Sequence, residues 1–312
     1  MEYLWLIVGF ILLIKGADFF VDGASSVAGK LKIPSLIIGL TVVSMGTSLP
    51  EAAVSISASL GGNNGISLGN VIGSNIFNLL VVVGVSSIIL PIVTDSDVLK
   101  RDMPIGVGIT AALCVMLFDG TLGRLDAVIL LLLFVGYLLL LVRSALKNRV
   151  EEPAQKLLSW PKSIIFCIAG AAAIIGGGQL VVNSAKTIAA ALGMGETLIG
   201  LTVVAIGTSL PELVTSIVAA KKGDSGIAMG NVVGSNIFNI LFVLGLSGVI
   251  SPMTADAAFF IDTGILIAVS FIMMLFAFTK KRTGRVEGAA AVLMYIAYTA
   301  YIIMRAFHIW IF

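Results

Sequence analysis

Imidazole and thiol chemistry are all but missing from this chain, which has one histidine and two cysteines in 312 residues. That scarcity argues against a disulfide framework and against a zinc or copper centre built from nitrogen and sulfur ligands. Cys114 and Cys167 each sit inside an apolar run and read as small core residues. Charge is equally sparse: 12% of residues are charged against 58% hydrophobic, and the mean hydropathy is +1.11. Such a composition excludes a soluble globular domain and fits a helical protein that crosses the membrane many times. The basic residues form no face interleaved with aromatics, so nucleic acid is excluded as a partner. A phosphate-binding GxxxxGK[ST] loop is absent, and no serine is paired with a histidine or lysine base. Neither a cofactor nor enzymatic catalysis is therefore expected, and an intramembrane hydrolase is disfavoured. The N-terminus carries Glu2 where a secretory signal would be positive, so the first apolar run is expected to be retained.

What the chain does have is a stretch written twice. GLTVVSMGTSLPE (Gly39 to Glu51) and GNVIGSNIFN (Gly69 to Asn78) return as GLTVVAIGTSLPE (Gly200 to Glu212) and GNVVGSNIFN (Gly230 to Asn239). Every matched position lies 161 residues (212 − 51) from its twin, with no gap. Weaker matches extend the repeat, with Val21, Asp22, Ala24 and Ala28 answering Val182, Asn183, Ala185 and Ala189.

Apolar runs bounded by polar, glycine or proline residues predict ten helices, near 4–24, 35–60, 66–90, 104–118, 123–143, 162–184, 197–220, 226–250, 258–279 and 286–308. Lysine and arginine crowd alternate loops: Lys30, Lys32, Lys100, Arg101, Arg143, Lys147, Arg149, Lys156, Lys162, Lys221, Lys222, Lys280, Lys281, Arg282 and Arg285 fall on one side, while the other receives Arg124, Lys186 and Arg305, with Lys15 inside the first span. The crowded side is cytoplasmic, so both termini should face outward from the cell membrane. The hydrophilic linker 144–161 then lies in the cytoplasm between two halves, 1–143 and 162–312. Five spans per half make the second copy enter the membrane the other way up. The predicted fold is thus an all-α polytopic membrane protein of ten transmembrane helices in two inverted five-helix repeats, the architecture of secondary transporters.

Within each repeat the chemistry is concentrated at one depth. Glu51 and Glu212 lie deep in their spans, where an ionisable group is costly and functional by default. Pro50 and Pro211 lack an amide hydrogen, so breaks are expected around Gly46 and Thr47 and around Gly207 and Thr208. Ser74 with Asn78, and Ser235 with Asn239, share a helical face. The oxygens available are two carboxylates, the hydroxyls of Thr47, Ser48, Ser74, Thr208, Ser209 and Ser235, the amides of Asn78 and Asn239, and carbonyls near Ser44 and Ala205. This hard donor set suits calcium or sodium. For the serines, close helix packing is the competing explanation, and for both asparagines interhelical hydrogen bonding competes with ligation. Lys15 and Asp18, three residues apart, read as an internal ion pair.

The doubled GTSLPE and GNVxGSNIFN motifs closely resemble the α-repeats of the cation/calcium antiporter superfamily, most of all its prokaryotic sodium/calcium exchangers. The resemblance implies ten helices in which the second and third of each repeat build the ion sites and the first and sixth form a gating bundle. It implies that Glu51 and Glu212 ligate calcium with the Thr47 and Thr208 carbonyls, and that sodium sites draw on Ser48, Ser74, Ser209, Ser235, both glutamates, and carbonyls at Ser44 and Ala205. Asn239 stands where some archaeal exchangers and the potassium-dependent branch carry aspartate. Two carboxylates then set the central charge, which implies potassium-independent, electrogenic exchange of sodium for calcium, with calcium extruded. A proton/calcium antiporter is the alternative, although the sole histidine, His308, stands at the end of the last span and offers no relay. A channel is disfavoured by the inverted repeats. Calcium and sodium ions and the lipid bilayer are the partners expected.

Overall fold

A computed structural model describes residues 1–148, 157–193 and 205–306. Eight helices are long and apolar enough to cross a membrane: Glu2–Leu31, Asn64–Ile89, Val98–Asp119, Arg124–Lys147, Trp160–Ala191, Ser225–Ile250, Ala257–Lys280 and Arg285–Arg305. A ninth candidate is the pair Ser35–Thr47 and Leu49–Leu60, bent by 49° at its break. The span expected at 197–220 begins outside the described residues, as do His308 and the middle of the linker with Glu151, Glu152 and Pro153. From Ala205 onward that region comprises the short helix Ala205–Thr208 and the helix Leu210–Lys221.

The fourth helix starts six residues before its expected position at 104, because its charged first turn is internally satisfied. Arg101 forks onto Asp102 through Nε and Nη2, both at 2.9 Å, and donates to Ser144 at 2.6 Å, while Tyr137 also donates to Asp102. Asp102 is fully buried, and a buried charge is tolerable when it is paired in this way. The twins of Arg101 and Ser144 are Asp262 and Arg305, which form an ion pair of 2.8 Å with the guanidinium on the opposite helix.

The first and sixth helices are longer than their apolar runs and pack antiparallel along their length. Gly9 lies against Gly177, Gly16 against Gly170, and Gly23 against Ser163 and Cys167. A Cβ at Gly170 would sit 2.6 Å from the Phe20 amide nitrogen, and one at Gly177 would sit 2.8 Å from the Gly9 carbonyl oxygen. Small residues at such crossings replace hydrophobic driving force with close backbone contact. The far end of the first helix is tied to the loop after Lys221. Lys222 reaches Asp22 at 2.7 Å and Asp18 at 3.5 Å, so Asp18 pairs across the fold and not with Lys15 as expected. The helical spacing of Lys15 and Asp18 brought them to one face, but Lys222 arrives from the loop that follows a separate helix. Asp224 in the same loop accepts from Ser25, Ser35 and the amide of Ile227.

Among the described residues four two-residue strands lie in connections between helices, and the fold is otherwise helical as expected. Strand β1 (Ile92–Val93) pairs with β4 (Arg282–Thr283), and β2 (Thr121–Leu122) pairs with β3 (Met253–Thr254), both antiparallel. β1 and β3 are twins at the 161-residue offset, as are β2 and β4, so each ladder joins one strand from each side of the repeat. The offset holds across helix boundaries as well: Asn64–Ile89 maps residue for residue onto Ser225–Ile250.

Candidate cation site at the paired helix breaks

Each GTSLPE motif leaves helical geometry at its serine. Ser48 (φ −84°, ψ 8°) separates Ser44–Thr47 from Leu49–Leu60, and Ser209 (φ −93°, ψ 7°) separates Ala205–Thr208 from Leu210–Lys221. The break thus falls one residue beyond Thr47 and one beyond Thr208. Leaving the helix there places Pro50 and Pro211 in the first turn of the following helix, where a missing amide hydrogen costs nothing. Helices Asn64–Phe77 and Ser225–Phe238 then pass into π-helical turns beginning at Asn78 and Asn239, a widening of the helix frequent at functional positions.

The two breaks are bonded to each other crosswise. Ser48 Oγ donates to Glu212 Oε1 at 2.8 Å, and Ser209 Oγ donates to Glu51 Oε1 at 2.9 Å. Both glutamates are fully buried. In each, the second carboxylate oxygen, Oε2, has no hydrogen-bond partner among the described residues. Buried acceptors are almost always satisfied, so a twinned pair of unsatisfied carboxylate oxygens requires an explanation.

Asparagines hold these breaks in place, and most of them escaped the sequence reading. Asn70 donates to the Glu51 carbonyl at 3.2 Å and to Ser55 at 2.9 Å, and its twin Asn231 donates to the Glu212 carbonyl at 3.3 Å and to Ser216 at 3.0 Å. Thr47 Oγ1 donates to Asn231 Oδ1 at 2.9 Å. Asn75 and Asn236 exchange bonds, each Nδ2 reaching the other's backbone carbonyl at 3.0 and 3.1 Å. Their side-chain oxygens accept from Asn78 and Asn239, both at 3.1 Å. The signal for all of them was present, since each asparagine stands in an apolar run with a twin 161 residues away.

For Asn78 and Asn239 the two competing readings divide between the two ends of the amide. The nitrogen is spent on interhelical bonds, while Oδ1 of each is buried with no partner among the described residues. Thr208 Oγ1 likewise has no partner among the described residues. Ser74 donates to the Val71 carbonyl, and Ser235 donates to the Ser44 carbonyl at 3.4 Å, which also accepts from Thr47 Oγ1 and the Ser48 amide. Ala205 occupies the position twinned with Ser44, at the start of its short helix. Glu51 Oε2, Glu212 Oε2, Asn78 Oδ1 and Asn239 Oδ1 are thus four buried oxygen acceptors, in two twinned pairs, without a partner among the described residues. All four are hard donors, and no group of three or more His, Cys, Asp or Glu side chains occurs among the described residues. That chemistry favours a hard cation held mainly by neutral oxygens and two negative charges.

The family described as sodium/calcium exchanger protein matches residues 1–143 and 162–304. The chain is 39% identical to the putative antiporter CaxA of Alkalimonas amylolytica, covering 95% of this chain and 96% of that protein. It is 36% identical to the sodium/calcium exchanger MaX1 of Methanosarcina acetivorans, covering 95% and 97%. Among solved structures, the sodium-calcium exchanger NCX_Mj soaked with sodium and strontium superimposes with a TM-score of 0.85 at 36% identity, over 96% of this chain and 97% of that one.

Proposed function

This chain belongs to the sodium/calcium exchanger protein family, and on that premise we propose that it is an antiporter exchanging sodium for calcium across the membrane by alternating access. The observation that carries the proposal is the crosswise bonding of Ser48 to Glu212 and of Ser209 to Glu51, which leaves one free oxygen on each carboxylate. Glu51 and Glu212 would ligate calcium with the Thr47 and Thr208 carbonyls. Sodium would draw on Ser48, Ser74, Ser209 and Ser235, on the same glutamates, and on the carbonyls of Ser44 and Ala205. Asn78 and Asn239 would contribute their free amide oxygens.

The architecture we assign is two inverted five-helix repeats, 1–143 and 162–312, joined by a cytoplasmic linker at 144–161, with both termini outside. The 161-residue offset of helices and strand ladders supports this reading, and so does the crowding of lysine and arginine into alternate loops.

Coupling follows from competition for the two carboxylates. One calcium ion neutralises them, as do two sodium ions, so a third sodium carries one net charge and makes exchange electrogenic. With asparagine at 239, no third carboxylate calls for a potassium ion, and exchange proceeds without potassium. An empty site leaves two unpaired charges in low dielectric, which disfavours occlusion without cargo and suppresses leak.

The test is calcium uptake into potassium-free proteoliposomes under an imposed sodium gradient, with the membrane potential varied. Uptake should follow the sodium gradient and change with potential. Uptake that appears only on adding potassium would overturn potassium independence. Uptake driven by a pH gradient without sodium would instead make the protein a proton/calcium antiporter.

A further inference from the structure

The turn joining helices Ala257–Lys280 and Arg285–Arg305 has the same backbone as its twin, residues 119–126, but the opposite charge. In both, the second residue is left-handed: Gly120 at φ 81° and Lys281 at φ 51°. In both, that residue's carbonyl accepts from an equivalent amide, Ala255 to Gly120 at 2.8 Å and Thr94 to Lys281 at 2.9 Å. An acid closes each helix start, Asp126 toward Gly123 and Glu287 beside Gly284. The first turn carries Asp119, Arg124 and Asp126, two acids against one base; the second carries Lys280, Lys281, Arg282, Arg285 and Glu287, four bases against one acid. Glycine is the residue that a left-handed position favours, and its twin uses it there.

The basic turn opens onto a cleft of about 430 Å³ lined by Lys280, Arg282, Gly284, Arg285 and Glu287. The Glu287 side chain closes the helix start beside Gly284 and pairs with Lys280 at 3.5 Å. Arg282 and Arg285 have no acidic partner among the described residues and are exposed. Pairing of Arg282 with Val93 in the β1–β4 ladder fixes the turn in place. Because two candidate spans end here, the cleft stands at the level of the lipid headgroups, and Val286 beside it is 80% exposed. The occupant must be anionic, must lie at the membrane surface, and must tolerate an apolar neighbour.

We infer that this cleft binds the phosphate of an anionic phospholipid headgroup, with Arg282 and Arg285 as its cationic contacts and Val286 against the acyl chain. Basic pockets between membrane helices on the lysine-rich side commonly hold such headgroups. The inference is independent of which ions the protein carries.

Native mass spectrometry of the purified full chain, titrated with phosphatidylglycerol, phosphatidylcholine or inorganic phosphate, tests it. The wild type should retain phosphatidylglycerol in preference to phosphatidylcholine, with inorganic phosphate failing to displace it. Arg282→Thr, which installs the twin's own residue, combined with Arg285→Gln removes both arginines of the cleft; retention should fall roughly thirtyfold for the two lost charges. Arg124→Gln, in the oppositely charged turn, should leave retention unchanged. Equal retention by the double variant and wild type, equal retention of the two lipids, loss in Arg124→Gln, or displacement by phosphate would each overturn the assignment.

Discussion

Ser209 donates its hydroxyl to Glu51, a residue 158 positions earlier in the chain. The carboxylate of one helix break is therefore held by the serine of the other, and the same is true in reverse for Ser48 and Glu212. Neither copy of the motif completes its own site.

Removing one of the two charges should be decisive. Glu51→Gln or Glu212→Gln should lower sodium-driven calcium uptake by on the order of a thousandfold, since an ion and a carboxylate about 4 Å apart interact by ~4 kcal/mol in a partly screened site. Neutral glutamine keeps the shape, so size-exclusion profiles should match the wild type. Exchange retained by either variant would remove that residue from the site.

The serines should act as an equivalent pair. Ser48→Ala and Ser209→Ala each delete one hydrogen bond to a carboxylate, worth about 1.5–3 kcal/mol. Both should raise the calcium concentration for half-maximal uptake by similar factors. A large effect in one and none in the other would show that the crosswise bonds are unequal in function.

Asn239 serves the fold through its nitrogen, which donates to Asn75 Oδ1 and Ser74 Oγ. In Asn239→Asp an acceptor would face Asn75 Oδ1, and an unmet buried pair of this kind costs about 1–3 kcal/mol. The melting temperature without calcium should fall, and added calcium should recover part of it because the new charge faces the same cage. A variant as stable as wild type without calcium would contradict the bonding described.

Along the sixth helix, glycines are not interchangeable. Gly170→Val drives a branched side chain into the backbone of Phe20, an overpacking that costs typically ~1–3 kcal/mol. Gly176→Ala meets nothing within 4 Å and should be neutral or slightly stabilising. Thermal melts in the same detergent separate the two.

Asp224 should matter more than Lys222. The Lys222 pairs are half-exposed and worth about 0–1 kcal/mol. Asp224→Ala loses a helix cap and two interhelical hydrogen bonds, each worth about 1 kcal/mol. A larger loss of melting temperature in Lys222→Met than in Asp224→Ala would reverse this ordering.

Much of the site was legible because its parts announce themselves locally. A glutamate beside a proline deep in an apolar run has no inexpensive packing role, and the same pattern at 161-residue spacing marked the serines and asparagines that follow. Local spacing does not report which residue bonds which across the fold. The Ser48 to Glu212 crossing, the lattice of Asn70, Asn75, Asn231 and Asn236, and the pairing of Asp18 with Lys222 all join residues remote in the chain. The early start of the fourth helix was missed for a related reason: Arg101 and Asp102 look like loop residues until each is seen to satisfy the other. The two-residue strands were invisible because runs so short leave no periodicity.

Those strands set a condition on synthesis. As the chain leaves the ribosome, Ile92 and Thr121 emerge with their backbone edges open, and the residues that close them, Thr283 and Thr254, have yet to be translated. A product truncated before residue 282 would insert its early helices and still expose the edge at Ile92, so the last turns made are the ones that fasten the first.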